Sequence, residues 1–242
     1  MKPATMLVQG DGPSLEAEPL TTPVYETTTF AFGSAAEVRA YYQGASGKFL
    51  YSRYANPTVA AVEQKIAGIE GAEAALLFSS GQAATASALM AFLSAGDEVL
   101  CCAAVYGGTF HLLADVLSRF GVHPRFEPVE AFADPAALIG DRTKLVWFES
   151  PINPTLRCLD IAAIARACRA RGVLSVMDNT FASPVNQQPL ALGVDVVMHS
   201  ATKYLNGHSD VTAGALAGPA GLMARVMEVR KRVGAILDPH AA

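Results

Sequence analysis

The sequence predicts an α/β fold, a doubly wound and mostly parallel sheet with helices on both faces. Short apolar runs recur along the chain and are nearly continuous, as expected of strands that are buried on both faces. Segments with apolar residues at helical spacing separate these runs, and that spacing indicates amphipathic helices. Glycines such as Gly71 and Gly172 follow the helical segments, a typical position for a helix end. This alternation predicts strands joined by crossover helices.

The first elements can be placed in order along the chain. Residues 1 to 42 show little periodicity and many Thr and Pro residues, so we expect an N-terminal arm there. Within the arm, TTPVYETTTF is compatible with extended chain. One large domain is expected over residues 43 to 242. Asn56 can cap a helix, and Pro57 suits its first position. That helix is predicted to end at Gly71, and the apolar run 74–78 then predicts a strand.

The alternation continues to about residue 200. The segment SSGQAATASALMAFLSAG predicts a helix with Gly96 at its end, a second helix is expected from about Thr109 to Phe120, and a third from Asp160 to Gly172. The remaining predicted strands are the apolar runs 98–102, 144–149, 173–178 and 195–200. The last arginines, Arg225, Arg230 and Arg232, are expected on the solvated face of one more helix.

Composition excludes several classes of protein. The 242 residues are 51% hydrophobic and carry a formal net charge of −4, so a large core can form, and we expect no nucleic-acid partner. No apolar stretch reaches the ~20 residues that cross a bilayer, and the amino terminus lacks the hydrophobic segment of a signal peptide. We therefore expect a cytoplasmic, enzyme-like protein with no membrane partner.

The cysteines and histidines give no metal or disulfide signal. The chain has four cysteines, with no C-x-x-C pair and no cysteine/histidine cluster, so we predict ordinary buried thiols and no zinc site. His208 and Asp210 are two possible ligands without a clear third, and they are predicted to be hydrogen-bonded loop residues. The patterns that bind ATP or NAD are also absent, since GDGPSL (10–15) lacks a third glycine and a preceding strand.

Polar residues follow nearly every predicted strand. In open α/β sheets the ligand binds beyond the carboxyl ends of the strands, and these residues are expected at that edge. They are Ser79, Ser80, Gly81 and Gln82 after the first strand, Tyr106, Gly107, Gly108 and Thr109 after the second, Glu149 and Asn153 after the third, Asp178 after the fourth, and His199, Ser200, Thr202 and Lys203 after the fifth. They supply an anion cradle, an acid, an amine and an aromatic ring.

Three of these features match one cofactor. SSGQAA opens a helix after a strand, which suits a phosphate but also suits a plain cap. Asp178 alone is more typical of a turn cap, and Lys203 alone of a solvated surface residue. Pyridoxal phosphate needs a phosphate cradle, a carboxylate at its pyridinium nitrogen and a lysine for its Schiff base. The combination predicts this cofactor, with Lys203 in a dry site whose burial would leave part of its amine neutral.

Six segments carry a family resemblance. They are SRYANPT (52–58), SSGQAA (79–84), VYGGTF (105–110), ESPINPT (149–155), DNTFASP (178–184) and HSATKYLNGHSD (199–210). In order and spacing they resemble the pyridoxal phosphate enzymes of cysteine and methionine metabolism, from about Pro23 to the last residue. The resemblance implies the fold type I architecture of aspartate aminotransferases, with a small-molecule amino-acid substrate.

The resemblance also implies a role for each residue. Lys203 would bind the cofactor covalently and carry protons, Asp178 would keep the pyridine nitrogen protonated, and Tyr106 would stack on the ring and assist proton transfer. Phosphate contacts are implied for Gly81, Gln82, Ser200 and Thr202 of one subunit, with Tyr51 and Arg53 from a neighbouring subunit. Asn153 would lie near the cofactor's phenolic oxygen. Without the resemblance, the favoured interpretation of Arg53 is a surface arginine, that of Tyr106 a half-buried core tyrosine, and that of Asn153 an Asn-Pro turn former. Shared sites of this kind imply an active dimer, usually doubled to a homotetramer.

The reaction implied is γ-elimination from a sulfur amino acid, of the cystathionine or methionine γ-lyase type within trans-sulfuration. A γ-replacing transferase, either cystathionine γ-synthase or O-acetylhomoserine sulfhydrylase, is the alternative, because Gln82 resembles the sulfhydrylases whereas YSRYANPT and KYLNGHSD resemble the cystathionine and methionine branch. Relatives also continue into a small C-terminal domain that binds the substrate carboxylate through an arginine. We expect that domain to be absent here, so a non-catalytic fragment is the third alternative.

Overall fold

The computed structural model describes residues 19–242, and its centre is a seven-stranded sheet in the order β1-β7-β6-β5-β4-β2-β3. The strands are β1 (Ala74–Phe78), β2 (Glu98–Cys102), β3 (His123–Glu127), β4 (Thr143–Glu149), β5 (Leu174–Asp178), β6 (Val196–His199) and β7 (Gly214–Gly218). Within the described residues only β7 runs antiparallel to its neighbours. The predicted α/β fold with a mostly parallel sheet is confirmed. The carboxyl ends of β1, β2, β4, β5 and β6 therefore share one edge.

Helices connect the strands. The α-helices are α1 (Ala35–Tyr42), α2 (Pro57–Glu70), α3 (Gly81–Phe92), α4 (Gly107–His111), α5 (Pro135–Leu138), α6 (Ile161–Ala170), α7 (Ser183–Asn186) and α8 (Ala220–Val233). The predicted caps are confirmed: Asn56 Oδ1 accepts from the Thr58 N–H at 2.9 Å, and Gly71 ends α2 with φ of 66°. Asp160 caps α6 in the same way, through the Ala163 N–H.

Two predicted helices have different bounds. α3 ends at Phe92 and not at Gly96, because Leu93 is already extended. The helix expected from Thr109 begins at Gly107 and passes from α-helix into a π-helical turn (Leu112–Val116) and a 3₁₀ turn (Leu117–Phe120). Gly121, with φ of 82°, closes it. Apolar spacing indicates a helical segment but does not distinguish these three hydrogen-bonding patterns.

Two strands, β3 and β7, were not predicted. β3 has the sequence HPRFE and is only half buried at the sheet edge, so it lacks the apolar run of a central strand. β7, GALAG, consists mostly of small residues because neighbouring backbones approach closely. A Cβ on Gly214 would lie 2.1 Å from the Ser80 carbonyl oxygen, and one on Gly218 would lie 2.7 Å from the Asp195 carbonyl oxygen. Such a segment has a weak strand signal but a strict packing requirement.

α8 contains a buried arginine that was expected on its surface. Arg225 and Arg232 are exposed as predicted, whereas Arg230 is only 2% exposed. Its guanidinium pairs with Glu63 of α2 and donates to the Leu77 carbonyl oxygen at 2.8 Å. The prediction was wrong because helical spacing alone does not show which face packs against the sheet. The pairing satisfies a charge that would otherwise be costly to bury.

Several smaller predictions can also be compared with the structure. Residues 1–18 of the predicted arm, including GDGPSL, lie outside the described residues. The rest of the arm contains α1, which buries no residue, and a single β-bridge from Thr29 to Tyr51. Cys158 is exposed, so not all four thiols are buried as expected. Over residues 19–242 there is no cluster of three metal-ligating side chains, and no helix has the length and apolar character to cross a bilayer.

Candidate active site

The carboxyl ends of the parallel strands surround a cleft of about 310 Å³. Residues from five strand ends and the following turns line it. They are Ser80, Gly81, Gln82, Tyr106, Glu149, Asn153, Asp178, Thr180, Phe181, Met198, Ser200, Thr202, Lys203 and Thr212. Eight of the ten site residues predicted from the sequence are in this set, all except Tyr51 and Arg53. The topology brings them together as the strand-end argument expects.

The amino end of α3 forms one wall of the cleft. The Ser80 hydroxyl caps the helix by accepting from the Ala83 N–H at 3.1 Å. Among the described residues, no hydrogen bond occupies the N–H groups of Gly81 and Gln82, which lie at the positive end of the helix dipole. A Cβ on Gly81 would lie 2.9 Å from the Ser200 Cβ. Glycine is therefore required for the helix start to approach the turn after β6 and form a cradle for an anion.

Asp178 lies at the end of β5 and is 6% exposed. Its Oδ1 accepts from the backbone N–H of Thr180 at 3.0 Å and from the Thr180 hydroxyl at 2.5 Å. Within residues 19–242 no hydrogen bond engages Oδ2. Burial raises the pKa of Asp178, and the hydrogen bonds from Thr180 and the positive charge of His199 offset this only in part. A cationic N–H group in the cleft would stabilise the carboxylate.

Glu149, at the end of β4, is 4% exposed and also lines the cleft. Its Oε2 accepts from the Tyr106 N–H at 2.8 Å, and its Oε1 accepts from the Asn153 N–H at 2.7 Å. Burial, and after it the charge of Asp178, raise the pKa of Glu149 to about 7, although the two backbone hydrogen bonds act in the opposite direction. One carboxylate thus holds two loops that carry predicted cofactor contacts.

Tyr106 presents an aromatic face to the cleft. Its side chain is 49% exposed, and it immediately precedes α4. A Cβ on Gly108 would lie 2.5 Å from the Tyr106 Cε1 and 2.8 Å from the Gln82 Nε2. The Tyr106 ring therefore lies against the first turn of α4, beside the Gln82 amide. An exposed ring supported on one side is suited to stack on a flat ligand.

The turn after β6 carries the amine. Ser200 donates its backbone N–H to the Thr180 hydroxyl at 2.8 Å, which links this turn to the loop after Asp178. The Thr202 hydroxyl exchanges two hydrogen bonds with the Ala213 backbone, at 3.0 and 2.9 Å. Its proton is therefore already donated, and the phosphate contact of Thr202 stays a prediction. Lys203 lines the cleft but is exposed, in contrast to the expected burial.

Tyr51 and Arg53 lie away from the cleft. The Arg53 guanidinium donates to the Lys231 carbonyl oxygen and stacks over the rings of Tyr54, at 5.0 Å, and Tyr51, at 5.4 Å. Neither residue contributes to the cleft of its own chain, so any phosphate contact they make would be to another subunit.

Glu149, Thr180 and His199, which affect the carboxylates of the site, were not assigned a role from the sequence. Glu149 was noted only as a polar residue at a strand end, although its spacing to Asn153 in ESPIN gives a weak signal for a loop clamp. Thr180 donates two hydrogen bonds to the Asp178 carboxylate, and a positive charge on His199 would lower the pKa of Asp178. In the sequence, His199 was noted only as a polar residue near the end of the fifth predicted strand. A pairwise contact between distant segments leaves no trace in a single sequence.

Residues 4–242 match the model of a protein family described as Cys/Met metabolism PLP-dependent enzyme. The chain is 40% identical over 225 residues to L-methionine gamma-lyase of Pseudomonas putida, covering 92% of this chain and 56% of that protein. It is 37% identical over 232 residues to the chloroplastic cystathionine gamma-synthase 1 of Nicotiana tabacum, covering 96% of this chain and 43% of that protein.

A solved structure gives the same result. The fold matches cystathionine gamma-lyase from Lactobacillus plantarum with a TM-score of 0.90 and 38% identity, over 100% of this chain and 61% of that one. The chain spans about half the length of the curated relatives that it matches. The resemblance noted in six sequence segments is therefore confirmed over nearly the whole chain.

Proposed function

The chain belongs to the Cys/Met metabolism family of PLP-dependent enzymes, and from this premise we propose that it cleaves the Cγ–S bond of a sulfur amino acid in trans-sulfuration. The family implies pyridoxal 5'-phosphate as cofactor. One observation carries the proposal: a lysine amine, a buried carboxylate and a helix start with unoccupied N–H groups open onto one cleft. Each group matches one part of the cofactor, namely its aldehyde, its pyridinium nitrogen and its phosphate.

The described residues fit this cofactor. The N–H groups of Gly81 and Gln82 would bind phosphate oxygens, helped by the Ser200 hydroxyl and the helix dipole. Among residues 19–242, Lys203 is the only cationic side chain that lines the cleft. Arg53 of a second subunit would therefore add the cationic fork that a phosphate favours, and Tyr51 of that subunit would add a hydroxyl donor.

Bound pyridoxal phosphate withdraws electrons from the substrate's Cα, which makes the proton on that carbon acidic. The chain's own groups then have defined tasks. The Asp178 carboxylate would accept the ring N–H and hold its proton. The Lys203 Nζ would take the proton from Cα and then one from Cβ, so that the electron pair left at Cβ can expel the sulfur from Cγ, and it would return a proton to Cγ once the sulfur has left. Tyr106 would keep the ring in place by stacking and could donate its hydroxyl proton to the departing sulfur, and Asn153 would orient the phenolic oxygen.

A direct experiment tests the proposal. The purified chain, supplied with pyridoxal phosphate, is expected to develop a visible absorption band that borohydride bleaches, and to release 2-oxobutyrate from cystathionine, homocysteine or methionine. Lys203→Ala is expected to remove both signals. A chain that stays colourless at saturating cofactor would contradict the proposal.

A γ-replacing transferase is the second candidate. Gln82 lines the cleft, and one similar protein is a cystathionine gamma-synthase by name. Elimination and replacement share the same early proton transfers at Cα and Cβ and differ in which nucleophile reaches Cγ. Supplying an O-acylated homoserine with and without cysteine separates them: a synthase forms cystathionine, whereas a lyase releases 2-oxobutyrate in both mixtures.

The domain organisation that we propose is an arm over residues 1–42 and a cofactor-binding domain over residues 43–242. The third candidate is that residues 1–242 by themselves bind the cofactor but turn over amino acids poorly, because they lack an arginine for the substrate carboxylate. Cofactor colour without 2-oxobutyrate release would favour this non-catalytic alternative. Product release at enzymic rates would exclude it.

We further propose that the protein is a cytoplasmic homotetramer built from dimers that share sites. Arg53 and Tyr51 support this assembly, because both lie outside the cleft of their own chain. Sedimentation of the purified chain measures the assembly, and Arg53→Ala is expected to weaken cofactor affinity while the cleft residues of the same subunit stay intact. Fractionation of the source cells would test the location, for which a chloroplastic relative is the counterexample.

A further inference from the structure

A buried carboxylate joins two loops at the rim of the cleft. Glu149, the last residue of β4, is 4% exposed, and the N–H groups of Tyr106 and Asn153 donate to its two oxygens at 2.8 and 2.7 Å. In the part of the chain that the structure describes, neither N–H group has another hydrogen-bond partner. Both loops therefore depend on the same side chain to satisfy a backbone donor.

The sheet register places Glu149 between Tyr106 and Asp178. β4 lies between β2 and β5 in the sheet, and Glu149 is paired in register with Asp178. Neighbouring parallel strands lie about 4.8 Å apart, and residues paired in this way point to the same face. Tyr106 follows β2 on the other side of β4. The Glu149 carboxylate therefore holds Tyr106 beside the residue that we assign to the ring nitrogen.

Tyr106 has few other connections to the sheet. It occupies the N-cap position of α4, and no side chain caps that helix within the described residues. The Tyr106 carbonyl oxygen accepts from the Thr109 and Phe110 N–H groups, at 2.9 and 3.2 Å, and these hydrogen bonds stay within the start of α4. Over residues 19–242, the hydrogen bond to Glu149 is the one that ties Tyr106 to a central strand.

The loop of Asn153 is anchored at its base. Ile152 is 1% exposed, donates to the Arg157 carbonyl oxygen at 2.9 Å and accepts from the Leu156 N–H at 2.7 Å. These contacts close a turn on the side of Asn153 away from β4. The contact with the Glu149 Oε1 then anchors Asn153 itself, which lines the cleft.

We propose that Glu149 is a positioning residue, which holds Tyr106 and Asn153 where they contact the cofactor that Asp178 binds. The inference rests on the proposed function, since that function assigns the stacking ring and the phenolic-oxygen contact to these two residues. Ordering a loop on binding costs free energy. A carboxylate that already holds both loops removes this cost before the cofactor binds.

The test measures the dissociation constant of pyridoxal phosphate for the cofactor-free full chain in two backgrounds. Titration at about pH 8.5 keeps Glu149 ionised, because its pKa is about 7. Glu149→Gln keeps the size of the side chain but replaces one acceptor oxygen with an amide NH₂ group, so we expect a dissociation constant about tenfold larger. In a chain that already carries Tyr106→Ala and Asn153→Ala, Glu149→Gln should change the constant by less than about twofold, because the side chains that it positions are gone.

Glu149→Asp is the second variant, for use if Glu149→Gln does not fold. It keeps the charge but shortens the reach by one methylene, so weaker cofactor binding is again expected in the wild-type background alone. Glu98→Gln is the matched control, because it makes the same change in a buried glutamate at the opposite end of the strands. It should leave the dissociation constant of each background unchanged even if it lowers stability.

The outcomes distinguish this inference from the proposed function. An unchanged dissociation constant in both backgrounds would overturn the inference and leave the proposed function intact. An equal increase in both backgrounds would mean that Glu149 acts through its charge or through overall stability, and would also overturn it. Failure of the wild-type chain to bind pyridoxal phosphate would reject the proposed function, and the inference with it.

Discussion

A buried glutamate lies at each end of the parallel strands, and the pKa values of the two are shifted in opposite directions. At the amino end of β2, Glu98 is 8% exposed and accepts from the Thr143 hydroxyl at 2.6 Å and from the Arg125 guanidinium at 3.2 Å. At the carboxyl end of β4, Glu149 is 4% exposed, and its partners among residues 19–242 are backbone N–H groups alone. Burial tends to raise the pKa of Glu98 as well, but the hydrogen bonds from Thr143 and Arg125 outweigh it, and its pKa is lowered.

This difference indicates that the amino end of the sheet contributes to stability and that the carboxyl end carries the candidate site. A carboxylate with its own arginine is stabilised in the charged form and contributes to folding. Glu149 and Asp178 have no arginine partner among the described residues, and both pKa values are raised. Clusters of carboxyl groups perturbed in this way are typical of functional sites. We expect a bound ligand to supply the positive charge that the carboxylates at the carboxyl edge lack.

The largest effect is expected from Lys203→Ala. Because the amine at the carboxyl edge is proposed to carry the proton at Cα, its removal should lower the turnover number by roughly 10²- to 10⁴-fold. Steady-state release of 2-oxobutyrate measures this. Lys144→Ala, at an exposed position of β4, is the matched control and should retain full turnover. Equal losses of turnover in Lys203→Ala and Lys144→Ala would contradict a specific role for the amine in the cleft.

Asp178→Asn should affect activity and stability in opposite directions. An amide cannot hold the ring nitrogen protonated, so turnover should fall by about 10²-fold. The free energy of unfolding of the cofactor-free chain should be unchanged or higher, because a desolvated carboxylate has been removed. Urea unfolding and the 2-oxobutyrate assay together measure both quantities. A loss of more than about 1 kcal/mol in stability would mean that Asp178 is a structural residue like Glu98.

Glu149 predicts a distinctive pH dependence of stability. Its folded-state pKa, about 7, is above the ordinary value of 4.5, so the folded chain retains a proton that the unfolded chain has released. Stability from this group should therefore fall as pH rises from about 4.5 to about 7, by at most about 3 kcal/mol. Urea unfolding at intervals across this window measures the slope. Glu149→Gln should flatten it, and an unchanged slope in that variant would assign the effect to another group.

Glu98→Gln should have the smallest effect of these variants, and it should change stability and not turnover. The substitution keeps a hydrogen bond to Thr143 and loses the charge that pairs with Arg125, so unfolding should become easier by about 1–2 kcal/mol. Its lowered pKa means that Glu98 contributes stability above its unfolded-state pKa and loses it as pH falls through the folded value. Turnover should be unaffected. Reduced turnover at unchanged stability would contradict the assignment of the amino end of the sheet to stability.

The sequence predicts the carboxyl edge better than the amino edge. Strand-end reasoning places Lys203, Asp178 and Gly81 in one cleft, because parallel strands end together whatever their spatial order. It does not predict the Arg125–Glu98 pair or the buried Arg230, since both depend on which distant segments pack against each other. The β7 strand is missed for a related reason: close backbone approach selects small residues that carry no periodic signal.

The most direct measurement is reductive trapping of the cofactor on the chain, followed by mass spectrometry of its peptides. After incubation with pyridoxal phosphate and borohydride, the account predicts a stable cofactor adduct on Lys203 in wild type. Asp178→Asn should weaken the cofactor's binding without moving the attachment site. An adduct on a different lysine, or none on the peptide that contains residue 203, would contradict the central claim.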